Sequence, residues 1–168
     1  MFSYLTDLTG LNESLVNSGV DLNTGLMMLR SGLPPNAILV GQNILTDVNW
    51  LFLQEAQDFG GLMDLAGLWR VFNEKYNSFT YFSLHHEAKA LLGILQEPPH
   101  NAATDAILSM RLFNLFKHIE RNPSEIARAH KALLSTAVDA SFAKQNPELD
   151  GVCMGNKKTC TCGAPFFF

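Results

Sequence analysis

Ala37-Ile38-Leu39-Val40-Gly41-Gln42-Asn43-Ile44-Leu45-Thr46-Asp47 is the stretch on which the fold turns. Ala37 to Val40 is an uninterrupted apolar run, bounded by Pro34-Pro35-Asn36 on one side and Gly41 on the other. A run this short between turn residues reads as a buried strand of the parallel-sheet kind. From Ile44 the period changes. Ile44, Val48, Leu51 and Leu45, Val48, Phe52 recur at helical spacing, which predicts a helix over 44–57. Side chains at such a strand-to-helix junction face the carboxyl end of the sheet, where α/β proteins gather their sites. Asn43 and Asp47 stand at this junction, four positions apart and so on one helix face. Asp47 lies among apolar neighbours, where a buried carboxylate needs a partner such as a divalent cation. The other reading is an ordinary exposed Asp on an amphipathic helix.

Outward from this stretch the chain alternates. Leu11 and Leu15, then Leu22, Leu26, Leu29 and Leu33, mark two helical pieces split at Gly19. Beyond Gly60-Gly61, Leu62-Met63-Asp64-Leu65-Ala66 reads as a second buried strand, leading into a short helix through Leu68, Trp69, Val71 and Phe72. Residues 77–82 read as an aromatic loop, anchored to the core or offered to bases for stacking. Ser83 caps the start of a helix that Gly93 ends. Pro98-Pro99 introduces another, striped by Ala102, Ala106, Met110 and Phe113. Asn122-Pro123 closes it and opens a last amphipathic helix through Ile126, Ala129, Leu133 and Leu134, after which residues 141–168 read as irregular. Trp50 and Trp69 are expected to pack into or against the core. The order implies an α/β fold with a parallel sheet, of which two strands are evident.

Composition narrows the class. The chain has 168 residues, 47% of them hydrophobic, enough for one domain with a core. Its formal charge is −4, so no global positive field advertises nucleic acid. A protein that grips its substrate through bound metal can still be acidic, because the metal-holding carboxylates add negative charge. No window predicts a membrane span and no secretory leader opens the chain, so an intracellular protein is expected.

A second constellation lies at His100-Asn101-Ala102-Ala103-Thr104-Asp105. Asp105 opens a strongly apolar helix and offers hard oxygen donors. His100 precedes it, with an imidazole able to take a proton from water near neutrality. A helix-entry His and a surface Asp are the bland alternative.

In this order the two constellations resemble the second and third motifs of the DEDDh 3′–5′ exonucleases. These belong to the ribonuclease H-like superfamily, with ribonuclease T and the proofreading subunit of bacterial DNA polymerase III among them. Leu39 to Leu51 resembles the second motif. His100 to Ala106 resembles the third, His-x4-Asp followed by Ala. Thr9-Gly10-Leu11 with Glu13, and Ser83-Leu84 through Gly93, resemble flanking helices. The resemblance implies a ribonuclease H-like exonuclease fold that hydrolyses phosphodiesters at the 3′ end of single-stranded RNA or DNA with two Mg2+ or Mn2+ ions. It implies Asp47 and Asp105 as metal ligands, His100 as general base, and Asn43 as a support that orients the helix or touches substrate. Gln42 stands where the family often has His. Asp64 matches a strand Asp that is usually structural.

The family's first motif, Asp-x-Glu on a central strand, has no counterpart anywhere in this sequence. The expectation is therefore an N-terminally incomplete, helix-rich fold, with residues 1–121 a partial exonuclease domain and 122–168 a C-terminal helix plus tail. Catalysis by this chain is expected to be weak. An inactive ribonuclease H-like module that binds RNA or a protein partner is the alternative. In the tail, Cys153, Cys160 and Cys162 resemble part of a zinc loop, one ligand short of the usual four. The tail is read as either a zinc site or a solvated segment with free thiols, and as a surface for a protein partner.

Overall fold

The apolar run after Pro35 forms strand β1 (Ile38–Gly41), which lies parallel to β2 (Gly61–Asp64). Ile38 sits opposite Gly61 and Gly41 opposite Asp64. The computed structural model describes residues 4, 6–96, 99 and 101–140. It divides into two compact units, Met1–Thr136 and Ala137–Phe168, and of the second only residues 137–140 are described.

Ahead of β1 run α1 (Thr6–Thr9), α2 (Glu13–Ser18) and α3 (Leu22–Gly32). Asn12 caps α2 through Leu15 N–H, and Asp21 caps α3 through the N–H groups of Asn23 and Thr24. Gly19 separates them, as the sequence predicts.

After β1 comes α4 (Ile44–Trp50), which is shorter than the periodicity predicts. Phe52 (φ 51°) and Ala56 (φ 66°) adopt left-handed backbone, so the helix cannot reach residue 57. The chain turns there because Leu53 and Phe59 fold back beside Val48 to make a small core. Arg30 holds this loop to α3. Its Nε meets Asp58 Oδ1 at 3.2 Å and its Nη2 donates to the Phe52 carbonyl at 2.8 Å. Trp50 corrects another expectation: it is 77% exposed. It is the last residue of α4, beyond the reach of that core.

Past β2 lies α5 (Leu65–Leu68), and then β3 (Val71–Asn73) pairs antiparallel with β4 (Ser78–Thr80). Here the sequence misleads. Val71 and Phe72 belong to a strand, not a helix, and residues 78–80 of the aromatic segment form its partner. The apolar spacing through Leu68 and Val71 fits either period over so short a run. The β-branched and aromatic residues decide for strand once a partner is available.

The main core gathers Leu65, Trp69, Val71, Leu112, Ile119, Ala129 and Leu133. Trp69 meets Phe116 edge to face at 5.3 Å between ring centroids. Helix α6 (Leu84–Glu87) continues through a wider π-type turn over Ala88–Leu92. Then α7 (Ala102–Ile119) packs against β1, α5 and α6, and α8 (Pro123–Ser135) closes the core. His86 ties α6 to α8, its Nε2 lying 2.8 Å from the Leu133 carbonyl oxygen while its ring stacks on Phe82. Both Ser83 and Gly93 hold their predicted cap positions. No helix among the described residues is long and apolar enough to cross a membrane.

Gly60 is where the loop into β2 passes closest to the segment before β1. Its N–H donates to the Ala37 carbonyl at 2.8 Å. A Cβ there would meet Asn36 backbone atoms at 3.0–3.1 Å. Gly60→Ala should lower stability by about 1–3 kcal/mol, whereas Gly67→Ala, with nothing within 4 Å of the new methyl, should not destabilise. Paired urea unfolding curves check this. Equal midpoints would refute the close approach.

Candidate active site at the carboxyl ends of the paired strands

The site begins where β1 and β2 end. Asp64, the last residue of β2, turns its carboxylate back towards both strand-to-helix junctions. Its Oδ1 accepts from the Asn43 N–H at 2.9 Å and from the Ala66 N–H at 3.0 Å. Asn43 sits in left-handed backbone (φ 55°), a conformation Asn tolerates better than most residues. Its side-chain Nδ2 donates to Thr46 Oγ1 at 2.9 Å. Asn43 therefore shapes the start of α4 with its backbone and side chain together. Asp47 follows in the first turn of α4 and is solvent-exposed. It carries no burial cost, so the burial argument for a cation at Asp47 does not apply.

Beneath the junction Gln42 meets Glu87, a pairing that residue order alone does not show. Gln42 Nε2 donates to the Phe82 carbonyl at 2.6 Å and lies 3.4 Å from Glu87 Oε1. Glu87 is wholly buried. Its Oε2 and the Gln42 Oε1 make no hydrogen bond among the described residues. Burial above all pushes the Glu87 carboxyl up to about 8. The Gln42 hydrogen bond opposes that rise and the Asp64 carboxylate adds to it. At neutral pH Glu87 is therefore mostly the uncharged acid. Its helical spacing to Leu84 and Leu91 places it on the apolar stripe of its helix, and that is the signal that could have found it.

Asp105 lies on a different element. Asn101 caps α7 by accepting from the Ala103 and Thr104 N–H groups at 2.9 and 3.3 Å, which puts Asp105 in the first turn. A carboxylate there is favoured by the helix dipole. Asp105 is half-buried, and its Oδ1 accepts from Gln96 Nε2. Beside it is a hollow of about 210 Å³ lined by Ile94, Leu95, Gln96, Pro99, Thr104 and Leu108 among others.

The structure brings Asn43, Asp47 and Asp64 to one junction and sets Asp105 on the helix that packs against β1. His100, Cys153, Cys160 and Cys162 lie outside the described residues. His130, a residue type that could supply the ligand missing from the tail cysteines, is half-buried on α8, and burial lowers its pKa. Among the described residues no three His, Cys, Asp or Glu side chains group closely enough to hold a metal ion. Asp47 and Asp105 are the right donor type for a hard cation, but they do not by themselves complete a site.

No protein-family model matches the chain, and no curated protein matches it. Solved structures do. The chain is similar to the Neurospora crassa Pan2 catalytic unit (protease and nuclease domain), with TM-score 0.62 and 17% identity over 80% of this chain and 22% of that one. It is also similar to the Saccharomyces cerevisiae apo Pan2 pseudoubiquitin hydrolase-RNA exonuclease module in complex with AAGGAA RNA. That match has TM-score 0.55 and 20% identity over 88% of this chain and 23% of that one. The chain thus spans under a quarter of the length of either protein.

The buried acid makes stability depend on pH. Glu87 has an ordinary value of 4.5 and a folded value of about 8. The folded state therefore binds the extra proton between them, and unfolding becomes easier as pH rises through that window. The change should be on the order of a few kcal/mol. Urea unfolding of Glu87→Gln should show a flatter profile from pH 5 to 8 and higher stability than wild type at alkaline pH. Parallel profiles for the two proteins would refute the assignment. By this similarity of fold, the described residues share an α/β architecture with nuclease-containing Pan2 structures.

Proposed function

We propose that this chain forms part of a ribonuclease H-like, DEDDh-type exonuclease domain that shortens single-stranded RNA from its 3′ end by metal-dependent hydrolysis. The observation that carries the reading is the fold likeness to two Pan2 structures, one of them bound to RNA. The Asn43–Asp47 and His100–Asp105 motifs, in family order, support it. The RNA in the yeast Pan2 complex favours RNA over DNA as the substrate.

In this reading Asp47 and Asp105 donate carboxylate oxygens to divalent cations, Mg2+ or Mn2+. When bound, two such ions supply charge stabilisation to the scissile phosphate. His100 takes the proton of the attacking water on an imidazole nitrogen. Asn43 holds the start of α4, and through it Asp47, in place. Asp64 positions Asn43. The sequence contains no Asp-x-Glu pair, so the 168-residue chain supplies only part of the ligand set and hydrolyses slowly by itself. The three tail cysteines are proposed as a structural zinc site completed by one further ligand, and the tail as a surface for a protein partner.

A second reading rests on that missing pair and on the lack of a three-ligand group among the described residues. It takes the chain as a catalytically silent ribonuclease H-like module that binds RNA or a protein partner.

The test is a 5′-labelled oligoadenylate incubated with excess purified chain and Mn2+. Slow shortening from the 3′ end is expected, abolished by chelation. Asp47→Ala and Asp105→Ala should each cost more than the roughly 10–100-fold typical of residues that merely support a ligand. Fast hydrolysis that survives both substitutions would overturn the nuclease reading. No hydrolysis at any metal concentration would favour the silent module. For the tail, elemental analysis of gently purified protein should find about one zinc per chain, as a single four-ligand site requires. A metal-free protein would reject the zinc site.

A further inference from the structure

The β3–β4 hairpin has two faces of opposite character. Alternation sends Val71 inward, and it is buried in the main core beside Leu65 and Trp69. The same alternation sends Phe72 outward, and the register sets Phe79 directly across from it. Their rings meet edge to face at 5.4 Å between centroids. Arg70 and Tyr81 flank the two strands, and both are exposed. The Arg70 guanidinium lies 4.3 Å from the centroid of the Phe79 ring. At the hairpin tip, Lys75 Nζ lies 5.1 Å from the centroid of the Tyr76 ring.

These aromatics do not anchor the segment to the core. Phe72 is 49% exposed, Phe79 43%, Tyr81 58% and Tyr76 67%. The anchoring falls to Val71 and to Phe82, which packs against the core and stacks on His86. Four exposed rings are gathered on this one short hairpin. The charge is also local. Arg70 and Lys75 against Glu74 leave residues 70–81 with one net positive charge, on a chain whose net charge is −4.

We propose that the outer face of this hairpin is a docking platform for single-stranded nucleic acid. Bases stack on Phe72, Phe79, Tyr81 and Tyr76, and Arg70 and Lys75 meet the phosphates. Rings carry affinity for any base, because every base has a π face, and the interleaved cations supply the charge complement that a bare apolar interface lacks. Arg70 and Lys75 give this face cations beside the rings, within reach of a phosphate backbone. The choice of ligand rests on the nuclease reading above, but the platform acts in binding alone.

Fluorescence anisotropy of a labelled twelve-residue oligoadenylate and oligouridylate, with the full chain in excess EDTA, tests it without metal. Wild type should bind both. Phe79→Leu keeps the apolar bulk and removes the π face, so it should weaken binding by about tenfold, while Phe79→Tyr should bind like wild type. Arg70→Gln should weaken binding and reduce its salt dependence. Circular dichroism melts establish that each variant is folded at the assay temperature, so that a loss of binding is read on folded protein. Equal binding by wild type and Phe79→Leu, or no binding by wild type, overturns the platform. So does self-association of the chain that Phe79→Leu abolishes, with no oligonucleotide bound, because the face then docks a second copy. Binding that follows this pattern without any hydrolysis in Mn2+ sinks the nuclease reading and leaves the platform standing.

Discussion

The Asp64 carboxylate accepts backbone N–H bonds from Asn43 and from Ala66, and much of the structure follows from that one side chain. The two bonds close both strand-to-helix junctions of the parallel pair from a single point. One sets the left-handed turn at Asn43, and therefore the direction of α4 and the position of Asp47. The other caps α5, which delivers Leu65 and Trp69 to the main core. A carboxylate is suited to the task because backbone N–H groups at helix starts have no partner inside the helix and favour negative charge. The residue that resembles a structural Asp of the exonuclease family is here the joint between core and candidate site.

Behind that joint the chain buries a second carboxyl group, Glu87, with Gln42 as its hydrogen-bond neighbour. Burying an ionised carboxylate this deeply would cost more than one weak hydrogen bond returns, so the group keeps its proton instead. The neighbouring Asp64 carboxylate pushes the same way. Gln42 joins the end of β1 to the segment entering α6 through the Phe82 carbonyl. The strand ends thus bring the buried Glu87 near the Asp64 carboxylate, while Asp47 stands exposed on α4 and Asp105 half-buried on α7.

Much of the fold was legible in residue order. Pro34-Pro35 and Gly41 bracket β1. Ser83 and Gly93 bracket the helical segment between them, and Asn122-Pro123 separates α7 from α8. Each of these works through local backbone chemistry, so each can be read without knowing the neighbours. The misreadings share the opposite property. Helix α4 stops early because Leu53 and Phe59 are drawn back to Val48, a contact between residues that only the folded chain brings together. Val71 and Phe72 are a strand because residues 78–80 are there to pair with them. Trp50 looks like core by its type and lies exposed by its place.

The candidate site divides along the same line. Sequence by itself determined that Asn43 and Asp47 share the start of one helix and that Asp105 lies in the first turn of another, because spacing and capping are local. It also determined that no Asp-x-Glu pair is present. Only the tertiary structure decided that Asp64 tethers Asn43, that Glu87 is buried and uncharged, and that the rings of residues 72–81 face outward beside Arg70. Each of those depends on long-range packing. A hydrogen bond across 21 positions, the desolvation of one carboxyl group and the choice of an outer sheet face are all set by which elements meet. Residue order states that only indirectly.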